Sequence, residues 1–448
     1  MNSKDTNTDL AVIARIFSEL MKDNQVRNEE NELKHWFNSN LRLMSVRSVS
    51  VTPNNKYLII THEHTSQIKV IDLSKLEVMP YKYNSHSLSV RLVSPVMDNT
   101  SFFTASWDGC FMYYSILTGK HELLFCGTRS PSVFLDPGGK YLFTAEYPDD
   151  FDTGYNIGRC WDIHKKRTVA KYVMKRKHFW PESVDIAYDQ NYVYLGCDGT
   201  VMKFNLFGAK PLLKYFESEC GIRKIAASDK FIAAASNDGI LRIYRKNGDL
   251  LRHIEVSNFQ IMDVKIAKDE SFIVCGSSDG TVNCWSLLTG EKRFSNRAHK
   301  SMIWSLCLAN NDTLIVSGAT DGLINFINAG TGEIILQMFN LKKDKDILVS
   351  VPHDKNFPNG YFYTSNKDFI DVYDKNVDGN FDLLENNVNR RLAYINKLNC
   401  KNLILNRIKP TSQYDTLLSN FFNNHHTRTE LRFRNLPKSL EQNQNNGL

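Results

Sequence analysis

No apolar run in these 448 residues reaches the ~18–20 needed to cross a bilayer as a helix, so no membrane-spanning helix is expected. The start of the chain lacks the basic stretch followed by an apolar core that marks a secretory signal. Asp9 and Glu19 within segment 9–22 also argue against a transit peptide. Cysteine is sparse: nine residues, scattered singly, with no Cys-x-x-Cys. That spacing speaks against structural zinc and favours reduced thiols in the cytoplasm or nucleus. Cys197, Cys275, Cys284 and Cys307 fall inside strand-like runs, where a thiol acts as a small apolar side chain. A net charge of +6 is too mild to imply nucleic acid by itself. Paired carboxylates, a metal-spaced His/Cys cluster and a phosphate-binding loop do not rise above background, so a non-catalytic chain without a cofactor is expected. What is present, 42% hydrophobic and 23% charged residues, describes a globular protein able to bury a large core.

The organising feature is a ladder of five Asp-Gly pairs, beginning at Asp108, Asp198, Asp238, Asp279 and Asp321, with successive gaps of 90, 40, 41 and 42 residues. Each follows a run of small or apolar residues: FFTASWDG, VYLGCDG, AAASNDG, VCGSSDG, VSGATDG. Gly takes positive φ freely and Asp hydrogen-bonds its own backbone, so the pair suits a tight turn. A second ladder, Ile71, Tyr114, Trp161, Phe204, Tyr244, Trp285, Ile327 and Tyr373, ends the strand after each turn. Turn-rich segments such as TPNNKYL (52–58) and DPGGKYL (136–142) divide the strands upstream. Each period therefore reads as four strands in about 40–45 residues, the content of one propeller blade.

At these residues the chain resembles the WD-repeat β-propeller family. Trp161-Asp162, the Asp-Gly turns, and His86 and His299, each four residues before an apolar strand residue, carry the likeness over roughly residues 42–385. The resemblance implies a buried set of His, strand Ser/Thr, turn Asp and strand Trp in each blade. No unit has all four: one offers His299, Ser317 and Asp321 with Ile327, another His86, Thr104 and Asp108 with Tyr114, and a third Asp279 and Trp285 without the His. The chain reads as a divergent member. Its expected fold is an all-β propeller of eight units, with a seven-bladed ring and one aberrant unit outside it as the alternative. The eighth unit, residues 347–385, lacks the Asp-Gly pair, and the third carries an acidic insertion over 147–158.

The expected organisation is an N-terminal extension (1–41), the propeller (42–385) and a C-terminal extension (386–448). Leu10 and Phe17 share a face with Ile13, Leu20 and Met21 at helical spacing, which predicts an amphipathic helix that docks in cis or binds a partner. Among candidate sites, Asp374, Asn376, Asp378, Gly379, Asp382 and Glu385 fit the EF-hand Ca²⁺ pattern, but their flanks alternate like strands, so a hairpin turn is the favoured reading. GSSDG (276–280) matches a nucleophile-elbow pattern but sits between two strands, where it reads as a turn. The basic stretch 165–180, with Lys175, Arg176, Lys177 and Trp180, is either a solvated loop or a contact to a partner, RNA or an anionic lipid. Trp107, next to the first turn Asp, is either a rim anchor for a partner or packed against a neighbouring blade. The functional expectation is a protein–protein interaction scaffold, a subunit of a larger intracellular assembly. The alternatives are a ribonucleoprotein subunit and, last, an enzymatic or metal-binding propeller.

Overall fold

The computed structural model describes residues 33–37, 43–127, 132–136, 139–146, 155–175, 184–197, 199–217, 220–342, 345–351, 361–366, 370–375, 381–383, 399 and 401. Seven consecutive antiparallel sheets of four strands, each ordered as in the chain, account for residues 46–339. The last carries two further strands at its outer edge. Their innermost strands are Val46–Val51, Val90–Pro95, Ser132–Leu135, Val184–Tyr188, Ile222–Ala227, Ile261–Ile266 and Ile303–Ala309. These define blades one to seven.

Side-chain alternation turns the sheets into a ring. In the second strand of blade two, Phe102 packs toward blade one and Phe103 toward blade three. Because both faces are covered, this strand is buried from end to end. That is why the segments before the Asp-Gly turns read as unbroken runs of small and apolar residues. Each of the seven junctions between neighbouring blades has its own apolar core, including the seam between blades seven and one, where Val316, Ile324 and Phe326 meet Val46, Leu58 and Ile60. A closed ring covers both faces of every blade and leaves only short edges, the innermost ones sheltered along the axis.

A belt of inward-facing side chains locks the junctions. Asp185 accepts a hydrogen bond from the Ile225 N–H of the next blade at 2.6 Å, and Asp263 accepts from Leu306 N–H at 2.7 Å. The same position is Ser305 in blade seven, whose hydroxyl accepts from Val49 N–H at 3.2 Å, and Ser48 in blade one, which accepts from Val93 N–H at 3.4 Å. The seam is therefore sealed by the same device as three other junctions.

This closure corrects the count of eight blades. The eighth unit does not reach the axis: Leu348–Val351 pairs with the outer strand Ile334–Phe339 of blade seven, and Tyr361–Thr364 pairs next to it. Ile347, Val349 and Val351 bury themselves on the seam core. The unit's remaining strands, Ile370–Lys375 and Phe381–Leu383, pair with each other, and the first also pairs with Leu33–Phe37 near the N-terminus. With seven junctions already filled, an eighth sheet has no inner position to take. The expected helix through Leu10 and Phe17 lies outside the described residues. The part of the N-terminal extension that is described, Leu33–Phe37, is a strand. The insertion in unit three is shorter than the sequence suggested, since residues 155–158 begin the long third strand Tyr155–Asp162. One thiol expectation also changes: Cys110 and Cys126, opposite each other on neighbouring strands of blade two, form a disulfide. Sixteen residues separate them, a spacing that a hairpin closes and that a search for short motifs passes over.

Candidate functional site

The Asp-Gly turns are internal fixtures. Asp108 accepts from the N–H groups of Cys110 and Ser87, both at 2.9 Å, and Asp321 from Leu323 and Lys300, both at 3.0 Å. His86 bridges Asp108 (3.0 Å) and Thr104 (2.8 Å), and His299 bridges Asp321 (3.2 Å) and Ser317 (2.8 Å). Burial alone would raise the Asp108 carboxyl, but the donated backbone hydrogen bonds and the His86 ring hold it below the ordinary carboxylate range. Burial in turn pushes the His86 imidazole down, against the pull of Asp108. Gly280, at φ 88°, shows why glycine follows: a Cβ there would come within 2.3 Å of the His299 carbonyl. The Asp108 and Asp321 turns are thus capped by the segments that lead into their own blades, and the Gly280 turn of blade six is covered by the segment that leads to blade seven.

Blades without the histidine use other fixtures. Trp161 Nε1 donates to Thr144 at 3.0 Å, and Arg159 pairs with Glu146 at 2.7 Å in blade three. Asp238 pairs with Arg242 at 2.9 Å in blade five, Asp279 caps Thr281 N–H at 3.0 Å in blade six, and Trp285 is buried. Asp198 lies outside the described residues.

The inner strands enclose an axial cavity of about 150 Å³. Its wall carries five cationic side chains, Arg47, Arg91, Arg223, Lys224 and Lys265, and two carboxylates, Asp185 and Asp263. Each carboxylate already binds a lysine as well as a backbone N–H: Asp185 with Lys224 at 3.1 Å, Asp263 with Lys265 at 2.7 Å. The three arginines stand at one end, each the second residue of its inner strand, as are Met262 and Trp304. They form a collar around the mouth. The Arg47 guanidinium lies 3.7 Å from the centre of the Trp304 ring and that of Arg223 lies 5.5 Å from it. Trp304 Nε1 has no hydrogen-bond partner among the described residues. Cys307, deeper in the wall, has its thiol pushed up to about 12 by burial, so it stays protonated.

Trp107 belongs to this collar. Its backbone N–H donates to Ser89 at 3.1 Å, and the Arg91 guanidinium sits 4.1 Å from its ring centre. The ring is half-buried, so it is both packed and partly open. Two apolar residues stand exposed on the same face, Leu88 (52%) and Phe259 (53%), each two residues before an inner strand. The basic stretch takes a different place. Lys171 and Lys175 are exposed on Arg167–Lys175, the outermost strand of blade three, while Arg176, Lys177 and Trp180 lie outside the described residues. Of the calcium-like pattern, Asp374 and Asp382 pair across antiparallel strands; Asn376, Asp378 and Glu385 lie outside the described residues. Among the described residues no three His, Cys, Asp or Glu side chains are grouped to hold a metal ion, and no helix is long and apolar enough to cross a membrane.

Sequence reasoning singled out Trp107 but not Arg47, Arg91, Arg223, Met262 or Trp304. A signal was available: Arg91, Met262 and Trp304 each lie 17 residues before their turn Asp, and Arg223 lies 15 before Asp238. Aligning the units on that Asp brings Arg91, Met262 and Trp304 into one column and leaves Arg223 two positions off; Arg47 lies in a unit without the Asp-Gly pair.

Comparison with known proteins agrees with this architecture. Residues 212–357 match the family described as "Vps42 beta-propeller" (Beta-prop_Vps41). The Pre-mRNA-processing factor 19 homolog 2 of Arabidopsis thaliana is 21% identical over 225 residues, covering 47% of this chain. The chain spans 40% of that relative's length. The crystal structure of the computationally designed Ika8 protein superposes with a TM-score of 0.53 at 18% identity, covering 69% of this chain and 97% of the designed one. Seven four-stranded blades, Asp-Gly turns capped by His86 and His299, and these likenesses lead to one conclusion: the chain is a divergent WD-repeat-like β-propeller.

Proposed function

We propose that this chain is a non-catalytic interaction platform, a subunit that holds other proteins within a larger assembly through the face bearing the channel mouth. The observation that carries this reading is the collar. Residues from blades one, two, five, six and seven converge there, with half-buried aromatics beside exposed Leu88 and Phe259. Aromatic and Arg side chains with apolar neighbours are the composition of binding hot spots. The rings are held by the fold, so a partner meets a preformed surface. The segments 1–41 and 386–448 would tether or orient the platform, and the cytoplasm or nucleus would be its setting.

Affinity purification of the full chain against a Leu88→Asp/Phe259→Asp variant tests this. Loss of copurifying proteins from a variant with unchanged melting temperature supports it, and an unchanged set of partners removes it.

The second reading is a ribonucleoprotein subunit that contacts RNA through residues 165–180. It draws support from exposed Lys171 and Lys175 and from the name of the pre-mRNA-processing relative. RNA binding at low salt that is lost on neutralising Lys171 and Lys175 would favour it.

A further inference from the structure

We infer that the Cys110–Cys126 bond is a thiol–disulfide exchange site in the folded protein: a low-molecular-weight thiol of the glutathione class attacks Cys126, while Cys110 leaves and later re-forms the bond. The inference goes beyond the platform reading and does not depend on it.

Three features carry it. The first is access. Cys126 is exposed on the outer strand of blade two, whereas Cys110 on the neighbouring strand is half-buried. Gly127, the next residue, is exposed as well, and a Cβ built there would meet nothing within 4 Å, so the approach past it is open. Thiols in the cores offer no such approach. Burial pushes Cys160, Cys284 and Cys307 up to about 12 and raises Cys275 too, which keeps them protonated and unreactive.

The second is redundancy. A disulfide stabilises a fold chiefly by closing a loop of the unfolded chain. Here Cys110 and Cys126 are register partners in a ladder that runs on through Phe111–Phe125 to Tyr114–His121. Phe111 and Phe125 are buried in the core between blades two and three, so the outer strand keeps its place whether or not the sulfurs are joined. The bond can therefore open without unfolding the blade. The ladder also holds the reduced sulfurs opposite each other, which makes closure an intramolecular step.

The third is position. The bond stands at the last rung before the chain leaves the sheet, where Gly127 N–H donates to the Gly109 carbonyl at 3.1 Å. Cys110 N–H donates to Asp108 at 2.9 Å, and the same carboxylate holds Ser87 N–H. Opening thus acts on the Asp108 turn and on the start of the connection to blade three, and leaves the apolar cores alone.

In the opening direction a glutathione thiolate bonds to Cys126 Sγ, the bond to Cys110 breaks, and Cys110 leaves with the electron pair and takes a proton from water. A second glutathione thiolate attacks the glutathione sulfur of this mixed disulfide and releases Cys126 as its thiolate. The protein disulfide gains two electrons, and two glutathione molecules become one glutathione disulfide. Closing is the reverse, with glutathione disulfide as the oxidant.

The test uses the full-length chain, first treated with glutathione disulfide and then with millimolar reduced glutathione under native conditions. Alkylation with peptide mass mapping reads each cysteine, and the melting temperature reads the fold. Cys110 and Cys126 should become alkylated while Cys160, Cys275, Cys284 and Cys307 stay unmodified, with a fall in melting temperature of no more than about 5 °C. In a second arm, glutathione disulfide should load Cys126 of the Cys110→Ser variant at least ~10-fold faster than Cys110 of the Cys126→Ser variant. The first arm uses the wild type alone, so it decides even if a variant folds poorly. A bond that never forms with glutathione disulfide, one that resists glutathione until denaturant is added, or equal loading of the two folded variants would overturn the inference.

Discussion

Two basic, aromatic-containing regions compete for the role of contact surface, and the fold treats them oppositely. Residues 165–180 are basic as a continuous run, yet the described part is an edge strand whose lysines point to solvent while Tyr172 and Met174 fill the core of blade three. Exposed lysines on an edge strand also guard it against pairing with another chain. The collar is basic nowhere in the sequence. Arg47, Arg91 and Arg223 come from blades one, two and five, and Trp304 from blade seven, 257 residues after Arg47. Charge density along the chain thus falls on an exposed edge strand here, whereas charge at a repeated position of the repeat fold gathers around the axis, where we propose the contact surface.

The largest expected effect separates the two regions by stability. Asp263 sits beneath the collar and joins blades six and seven, so Asp263→Ala leaves the Leu306 N–H without its acceptor and Lys265 without its carboxylate. A cost of about 3 kcal/mol is expected in urea unfolding. Lys171→Ala on the edge strand should cost nothing measurable. A loss below ~1 kcal/mol for Asp263→Ala would show that the inner belt does not hold the ring.

Next is Trp304→Ala, which removes the ring that Arg47 and Arg223 pack against. About 2 kcal/mol is expected, since the ring is only half-buried, together with loss of copurifying proteins. Stability loss with an unchanged set of copurifying proteins would make Trp304 purely structural.

A smaller effect depends on pH. The folded-state pKa of Asp108 lies below its ordinary value, so its contribution is present above the ordinary carboxylate range and fades as pH falls through it. His86 is also depressed in the folded state. The unfolded chain therefore takes up that proton first as pH drops below about 6.5, and stability falls in the same direction. The melting temperature should drop by a few degrees between pH 7 and 5, and His86→Asn should shrink the drop. An equal drop in the variant would assign it to other groups.

The smallest effect belongs to the edge strand. Lys175→Gln should change stability by no more than about 0.5 kcal/mol and leave the copurifying proteins unchanged.

The propeller was legible because its period is written in backbone chemistry: Asp and Gly at the turn, small residues where a strand is buried on both faces. The blade count was not. The eighth unit has the right strand spacing, and only contacts distant in the chain, the Ser305–Val49 bond and the apolar core between blades seven and one, show that the ring is already full. The collar was hidden for a related reason. Apart from Trp107 beside Arg91, its members are one residue from each of five blades, of mixed type, marked only by their distance from a turn Asp. Trp107 alone was visible, because it adjoins a turn that the period had already located. Trp161 was marked by the family resemblance, though its partner Thr144 was not, and the Arg242–Asp238 pair escaped notice because it puts different side chains where the motif would stand.

The central claim is that partners meet the channel mouth and not the outer wall of blade three. The direct measurement is site-specific photocrosslinking in cells of the source organism, with a benzophenone amino acid placed at Leu88, at Phe259, or at exposed Val173 beside the edge-strand lysines. Protein adducts from positions 88 and 259, and none above background from 173, are predicted. Adducts from 173 alone would contradict the account.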